Sequence, residues 1–292
     1  MINKNTHQTF LKLFCILALI ILFLTLGVYN NFNIPRDISS DTIIHIPKGS
    51  SLNTVAGILK KNKILNHESL FIWVLRLQGL GSNIQAGEFL IPAKSSLNKI
   101  IFIFTKGQTL QHQITFPEGF TSIQIIDHLN AEPLLVGKIA SIPKEGSLLP
   151  ETYNFNKGDL RSSLIKRMEI NLNFFLDKMW SERPDDFILK SPQEALILAS
   201  IIEKETGLAS ERPIIASVFL NRLSKNMRLQ SDPTVIYGIS SGKPLNRLIK
   251  QSDLDNKSPY NTYKIRGLPQ GPISNPGKES LLSVFKPKTT DF

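Results

Sequence analysis

Residues 191–207 read Ser-Pro-Gln-Glu-Ala-Leu-Ile-Leu-Ala-Ser-Ile-Ile-Glu-Lys-Glu-Thr-Gly, and they predict a helix that carries a carboxylate near its end. Ser191 can cap this helix and Pro192 suits its first turn, while Glu194 has the spacing that a capping box requires. Gly207 is placed to end the helix. The apolar run between these signals predicts an element of a protein core.

Glu203 is the side chain of this helix best suited to acid–base chemistry. Leu196, Ala199 and Ser200 share its stripe, because residues three and four apart are neighbours on a helix surface. Small neighbours leave room beside the carboxylate, and an apolar environment favours a protonated carboxyl that can donate to a leaving oxygen. The alternative is a solvated surface glutamate, and Glu205, which lies round the helix from Glu203, fits that description.

Length, composition and charge narrow the classes of function. The chain has 292 residues, 41% of them hydrophobic and 20% charged, which is typical of about two globular domains. A net charge of +10 suits an acidic polymer or an anionic membrane surface, but the 34 Lys and Arg residues form no basic run typical of nucleic-acid binding. One cysteine, Cys15, excludes an intrachain disulfide, and the histidines show no metal-ligand spacing, so we predict no metal. The sequence also has no phosphate-binding Gly-Lys-Ser loop and no dinucleotide Gly pattern, so we predict no cofactor.

An uncharged run rich in Leu, Ile and Phe extends from Leu13 to Tyr29 and predicts a transmembrane helix at 10–30. A cleaved signal peptide is the alternative, but no Ala-x-Ala-like site follows the run. Lys4 and Lys12 precede it, which places the N-terminus in the cytoplasm by the positive-inside rule. We therefore expect a single-pass protein of the cell (inner) membrane whose bulk is periplasmic or otherwise extracytoplasmic.

A corner motif occurs twice in the chain. Ile44-His-Ile-Pro-Lys-Gly-Ser-Ser51 returns further along as Ile114-Thr-Phe-Pro-Glu-Gly-Phe-Thr121. Each copy predicts a strand, a Pro-x-Gly turn and a helix capped by its last Ser or Thr. Two copies are too few for a solenoid, so we predict one small α+β module that uses the same corner twice.

Composition divides the rest of the chain. Residues 31–41 are polar without periodicity and predict a linker, whereas the Gly and Pro of 143–158 predict a hinge between domains. The fold class is α+β, with the following predicted division: a cytoplasmic tail at 1–9, a transmembrane anchor at 10–30, a linker at 31–41, an α+β module at 42–142 and a mixed α+β domain at 143–292.

Several motifs follow one another in the second half of the chain. They are Leu149-Pro-Glu-Thr-Tyr153, Ala199-Ser-Ile-Ile-Glu-Lys-Glu-Thr206, Ser210-Glu-Arg212, Ala216-Ser-Val-Phe-Leu-Asn-Arg-Leu223, Met227-Arg-Leu-Gln-Ser-Asp-Pro-Thr-Val235, Ser258-Pro-Tyr-Asn-Thr-Tyr263 and Gly267-Leu-Pro-Gln-Gly-Pro-Ile273. Together with the anchor and a LysM-like first module, they resemble the YceG-like endolytic murein transglycosylases over nearly the whole chain. Gln270 departs from the pattern, since many relatives have a second Pro there. Relatives also continue past the equivalent of Phe292, so the domain at 143–292 is expected to lack a C-terminal segment.

The resemblance implies that Glu203 is the catalytic acid/base. The family cuts the MurNAc–GlcNAc bond inside nascent peptidoglycan, leaves 1,6-anhydro-MurNAc ends and so terminates glycan elongation. The nucleophile is then the sugar's own 6-hydroxyl, and the second carboxylate of a hydrolytic glycosidase is dispensable. The implied partners are peptidoglycan glycan strands and, as candidates, cell-wall synthases.

Two other functions are compatible with the sequence. A muramidase-type hydrolase would use Glu151 or Asp232 as its second carboxylate, and a truncated, inactive peptidoglycan-binding or division-complex partner would use the first module. Aromatic and amide side chains stack on and hydrogen-bond sugars, although a tyrosine can equally pack beneath an ordered loop. The candidate substrate-binding residues are Glu151, Tyr153, Asn221, Arg222, Gln230, Asp232, Tyr237, Tyr260, Asn261 and Tyr263.

Overall fold

A computed structural model describes residues 4–290 and divides the chain into two compact units, Met1–Gln111 and His112–Phe292. Residues 1–3 of the predicted tail and 291–292 of the predicted second domain lie outside the described residues. The elements in chain order are α1 (Lys4–Asn33), β1 (Thr42–Ile46), α2 (Leu52–Lys61), α3 (Glu68–Leu77), β2 (Gly87–Ile91), α4 (Leu97–Lys106), β3 (His112–Thr115), α5 (Ser122–Ala131), β4 (Thr152–Phe155), α6 (Arg161–Ser181), α7 (Pro192–Glu205), α8 (Arg212–Ser224), α9 (Asp232–Ser240), α10 (Gln251–Leu254) and α11 (Lys278–Phe285).

The α+β fold class is confirmed. The strands form two antiparallel pairs, one in each unit: β1 with β2, where Ile44 faces Phe89, and β3 with β4, where Ile114 faces Tyr153. Both copies of the corner motif form as predicted. The Ser51 hydroxyl caps α2 and the Thr121 hydroxyl caps α5, each by accepting a backbone N–H.

Helix α1 is long and apolar enough to cross a membrane from Gln8 to Asn33, as judged by its length and composition. The segment at 31–41, predicted as a linker, packs on the first unit. Phe32 and Ile38 are buried in the core of the first unit, and the Arg36 N–H donates to the Ser95 carbonyl at 3.1 Å. The polar composition of the segment does not reveal this packing, because two buried apolar side chains are enough to fix a short segment on a core.

The division between the units differs from the predicted boundary at 142/143. Residues 112–142 belong to the second unit because β3 pairs with β4. Segment 143–158 is not a hinge between domains, because it contains β4, which pairs with β3. Leu148 and Leu149 within it are also fully buried. Its glycines and prolines shape turns inside a domain.

Helix α7 is the centre of the second unit and packs against α6, α8, α9 and α11. Its predicted start is confirmed, since the Ser191 hydroxyl accepts the Glu194 N–H and Pro192 lies in the first turn. The Glu194 carboxylate accepts the Lys190 N–H at 2.6 Å, one residue before the position that the capping box implied. The helix ends at Glu205, just before Gly207. Its buried length therefore holds Glu203 in a fixed position.

Candidate active site

Glu203 is buried at the end of α7, with only 4% of its side chain exposed. Its Oε1 atom accepts a hydrogen bond from Arg212 Nη2 at 3.0 Å, and its Oε2 atom accepts the Gly277 N–H at 2.9 Å. The environment of Glu203 is therefore not only apolar, as the sequence predicted, because a cation and a backbone amide also contact the carboxylate. A buried carboxylate needs such partners, since an unpaired buried charge is costly.

Arg212 is the first residue of α8 and connects two carboxylates. Its Nη2 atom donates to Glu203 and also to Glu118 Oε2 at 3.1 Å. The Arg212 side chain is 8% exposed, whereas that of Glu118 is 39% exposed. The cluster thus has a closed inner side at Glu203 and an open side at Glu118.

Glu118 lies in the Pro-x-Gly turn of the second corner motif. Burial raises the pKa of Glu118 above its usual value, the negative charge of Glu203 adds to this rise, and the Arg212 guanidinium opposes it. Gly119 takes a φ of +76°, which favours glycine, and donates its N–H to the Asn275 carbonyl at 3.0 Å. This backbone bond fixes the turn beside α7.

Gly277 lies against both carboxylates. Its N–H binds Glu203, and a Cβ atom at this position would lie 1.9 Å from Glu118 Oε1. Only glycine leaves room for the Glu118 carboxylate against this backbone. Gly277 is also the N-cap of α11, whose exposed amides and dipole favour negative charge.

The small residues that precede Glu203 on α7 leave space for the backbone of the segment that leads to Gly277. Ser200 is fully buried; its hydroxyl accepts the Ile273 N–H at 3.0 Å, and its carbonyl accepts the Ser274 hydroxyl at 3.2 Å. The space predicted beside Glu203 is thus filled at Ser200 by the chain that leads to Gly277. A larger side chain at Ser200 would displace that chain.

Asn275 and Glu145 hold the loops around the cluster. The Asn275 side chain donates to Glu145 Oε1 at 3.1 Å and to the Phe120 carbonyl at 3.0 Å, while its Oδ1 atom accepts the Leu148 N–H at 2.9 Å. The Ser122 N–H donates to Glu145 Oε1 at 2.8 Å. Burial raises the pKa of Glu145, and these hydrogen bonds oppose the rise.

Two of the candidate tyrosines lie together next to this network. The rings of Tyr237 and Tyr260 are 4.8 Å apart, and the Tyr237 hydroxyl donates to Glu145 Oε2 at 3.3 Å. Tyr237 lines a cavity of about 220 Å³ together with Lys204, the residue after Glu203. Lys204 Nζ donates to the Gly119 carbonyl at 3.3 Å, so this cavity borders the carboxylate cluster.

A second group of candidates surrounds Glu205. The Tyr263 hydroxyl donates to Asp232 Oδ1 at 2.7 Å, and this bond raises the pKa of Tyr263 to about 12. The Glu205 carboxylate accepts from the Ser231 hydroxyl, and partial desolvation raises the pKa of Glu205. Glu205 is exposed, as predicted for a surface residue, and contacts none of the groups that bind Glu203.

The remaining candidates make structural contacts. Tyr153 is buried and donates to the Leu149 carbonyl, Asn261 is buried and binds the carbonyls of its own loop, and Glu151 pairs with Lys278. The others bind the backbone or lie outside the cluster: Asn221 donates to the Thr290 carbonyl, Arg222 to the Leu229 carbonyl, and Gln230 donates its N–H to the Thr262 carbonyl. Within residues 4–290, no group of three or more His, Cys, Asp or Glu side chains is arranged to hold a metal ion.

Three residues of the cluster received no role from the sequence: Glu118, Arg212 and Gly277. Their only signals were indirect. The second corner motif has Glu118 where the first copy has Lys48, and Arg212 lies in a short motif after the Glu203 helix. Neither signal shows that the two side chains meet, because 94 residues separate them along the chain.

Comparison with known proteins agrees with this architecture. The YceG-like family matches residues 44–292. A Bacillus subtilis protein named endolytic murein transglycosylase is 34% identical over 89% of this chain and 79% of its own length. A Streptococcus pneumoniae protein of the same name is 26% identical, and the match spans 85% of this chain but only 52% of that relative. The crystal structure of a yceG-like protein from Listeria monocytogenes has 30% identity and a TM-score of 0.51, covering 87% of this chain and 92% of that one. The chain belongs to the YceG-like family.

Proposed function

We propose that this chain is an endolytic lytic transglycosylase that cleaves the MurNAc–GlcNAc bond of nascent peptidoglycan. The observation that carries the proposal is the buried Glu203 carboxylate, held by Arg212 and the Gly277 N–H in a cluster whose outer side is open. The names of the Bacillus and Streptococcus relatives support the same activity.

The proposed reaction needs one acid/base. Glu203, protonated, gives its proton to the bridging oxygen as the bond from that oxygen to the anomeric carbon of MurNAc breaks. The resulting carboxylate then takes the proton of the MurNAc 6-hydroxyl, whose oxygen bonds to the anomeric carbon. The products are a 1,6-anhydro-MurNAc end and a free GlcNAc hydroxyl, and Glu203 regains its proton. Intramolecular attack of this kind reaches effective molarities of about 10⁵ M or more, so no water is required.

Glu118 gives Arg212 a second partner in the proposed reaction. It accepts a hydrogen bond from the same Nη2 atom that donates to Glu203. When Glu203 is protonated, Arg212 keeps Glu118 as its partner; when Glu203 is ionised, Arg212 and the Gly277 N–H stabilise it.

The geometry favours this reaction over hydrolysis. A hydrolytic glycosidase places two carboxylates on either side of the scissile bond, about 5 to 9.5 Å apart. Of the two carboxylates considered for that role, Glu151 pairs with Lys278 and Asp232 with Tyr263. The carboxylate next to Glu203 is Glu118, and an arginine nitrogen, not a sugar, lies between them.

The remaining parts of the chain fit an enzyme that works on the cell wall. We propose that α1 anchors it in the cell (inner) membrane with its N-terminus in the cytoplasm, and that both units lie outside the cytoplasm. The β1–α2–α3–β2 order with an antiparallel strand pair supports the LysM-like reading of the first unit, which would then bind glycan. Cell-wall synthases are the proposed partners, because the substrate is a strand still under synthesis.

Mass spectrometry of the products from purified glycan strands tests the proposal. We expect 1,6-anhydro-MurNAc ends that disappear with Glu203→Gln. Reducing MurNAc ends would identify a muramidase instead. Binding to strands without any released product would favour a peptidoglycan-binding or division-complex partner.

A further inference from the structure

The first unit has an apolar groove between the membrane-spanning helix and α3. The groove has a volume of about 570 Å³, and its floor and walls are mostly apolar. Leu24, Val28 and Tyr29 line it from α1, and Trp73 and Leu77 line it from α3. Trp73 is 66% exposed and Leu77 is 70% exposed, which is unusual for large apolar side chains that lie side by side on one helix face.

The end of α1 is fixed to this unit. Phe32 is 4% exposed in the core that α2, α3 and α4 share, and Val28 packs against the same core. Asn98 on α4 donates to Asn33 Oδ1 at 2.9 Å, and Arg36 Nη2 donates to Asn31 Oδ1 at 2.7 Å. The direction of α1 is therefore coupled to the position of α3.

The length of α1 indicates how far the groove reaches into the bilayer. A bilayer core of about 30 Å takes about 20 helical residues, whereas α1 has 30. A span through the uncharged run ends near Tyr29, and the stretch from Leu24 to Tyr29 covers about 7.5 Å of helix. Leu24 then lies within the hydrocarbon, and the groove that contains it opens at the boundary between hydrocarbon and headgroups.

We infer that α3 docks on the membrane and that lipid acyl chains of the adjacent leaflet fill the groove between α1 and α3. This inference rests on the proposed anchoring of α1. Trp and Tyr favour the interfacial layer, where an apolar ring is buried and a polar edge stays wet, and Trp73 and Tyr29 occupy that layer. Arg76, exposed on α3, can extend its charged end to the headgroups.

The docking gives the first unit a defined height and orientation at the bilayer. A unit that hung from a flexible linker could sample many distances from the membrane, whereas a unit held by α1 and by the α3 face cannot. Nascent strands are made at the membrane, so a glycan-binding unit in this position would meet them where they emerge.

Fluorescence quenching in lipid discs tests the inference with the full chain. Trp73 and Trp180 are the two tryptophans, so Trp180→Phe leaves Trp73 as the only emitter. The discs contain phosphatidylcholine brominated either near the glycerol end or at the middle of the acyl chain. We expect Trp73 emission to be lost most with the shallow bromines. Unchanged Trp73 emission with both lipids would overturn the inference. A blue-shifted Trp73 emission maximum without quenching by either lipid would also overturn it, and would indicate that a second protein copy occupies the groove.

A control variant separates this inference from the anchoring of α1. Leu19→Trp in a Trp73→Phe, Trp180→Phe background reports the middle of α1, and deep bromines should quench it. Quenching of this residue without quenching of Trp73 would refute the docked α3 and leave the anchor intact. Quenching of neither residue would refute the proposed anchor and, with it, the docking.

Discussion

Glu203 and Glu118 accept hydrogen bonds from the same atom, Nη2 of Arg212, at 3.0 and 3.1 Å. The two carboxylates differ in exposure, with 4% of the Glu203 side chain and 39% of the Glu118 side chain accessible. One arginine thus lies between an inner and an outer carboxylate, and its charge is divided between them. The shared hydrogen-bond donor should therefore affect both the reaction and the stability of the fold.

Glu203→Gln should abolish cleavage without loss of fold. The amide keeps the size and polarity of the side chain but cannot donate and recover a proton, and removing a general acid costs about 10²–10⁴-fold in rate. Anhydro-product formation from glycan strands measures the loss. Glu205→Gln is the matched control on the same helix, and we expect it to stay close to wild type because Glu205 contacts Ser231 instead. Equal losses would contradict the assignment of Glu203.

Glu118→Gln should change the pH dependence of cleavage in the range just above pH 4.5. The pKa of Glu118 is raised above this ordinary value, so wild type gains a proton at Glu118 as pH falls through that range, and the attraction between Glu118 and Arg212 weakens. The amide of the variant cannot titrate, so its pH–rate profile should lack that change. Glu182→Gln, an exposed carboxylate at the end of α6, controls for the change in net charge. A uniform loss of rate at every pH would mean that Glu118 only supports the fold.

Local sequence signals accounted for α7 and for both corner motifs. Caps, a first-turn proline and apolar spacing act between residues a few positions apart, so Ser191, Ser51 and Thr121 could each be read directly. The short apolar segment at 97–104 has no periodicity that decides between helix and strand. The structure makes it helix α4, because Ser96 caps it and its apolar side chains fill one face.

The carboxylate cluster depends on contacts that no local pattern encodes. Glu118, Arg212 and Gly277 come from three distant segments, and they meet only because β3 pairs with β4 and α11 packs on α7. Composition also misread the segments at 31–41 and 143–158, since burial of a few apolar side chains outweighs a polar or glycine-rich average. Tertiary packing decided each of these cases.

Gly277→Ala should reproduce the effect of Glu118→Gln. The added Cβ would overlap the Glu118 carboxylate, which must then move away from Arg212. Overpacking of this kind costs roughly 1–3 kcal/mol in unfolding free energy. Gly207→Ala is the control, because a Cβ there meets nothing within 4 Å. An altered pH–rate profile in Gly277→Ala but not in Gly207→Ala would support the prediction, and unaltered profiles in both would oppose it.

Glu145 should make the stability of the second unit depend on pH. Burial raises the pKa of Glu145 in the folded state, so folding favours the protonated form. Its contribution to stability is full below the unfolded pKa and is lost as pH rises through the folded pKa. Between the ordinary value of 4.5 and the raised value, acidification should therefore stabilise wild type relative to Glu145→Gln. Thermal melts of both proteins across this range measure the difference, and parallel curves would show that Glu145 titrates normally.

Arg212→Met should destabilise the second unit more than Glu203→Gln does. Removing the cation leaves a buried carboxylate without its partner, and breaking a buried ion pair in this way costs about 3–5 kcal/mol. Glu203→Gln, in contrast, leaves Arg212 paired with Glu118. The double variant Arg212→Met, Glu203→Gln should regain part of the loss, because neither buried charge remains. Urea unfolding followed by Trp180 fluorescence in a Trp73→Phe background reports the second unit alone, since Trp180 lies in α6. Additive losses in the double variant would mean that Arg212 and Glu203 do not interact in solution, and the pairing on which the proposed proton transfer depends would have to be abandoned.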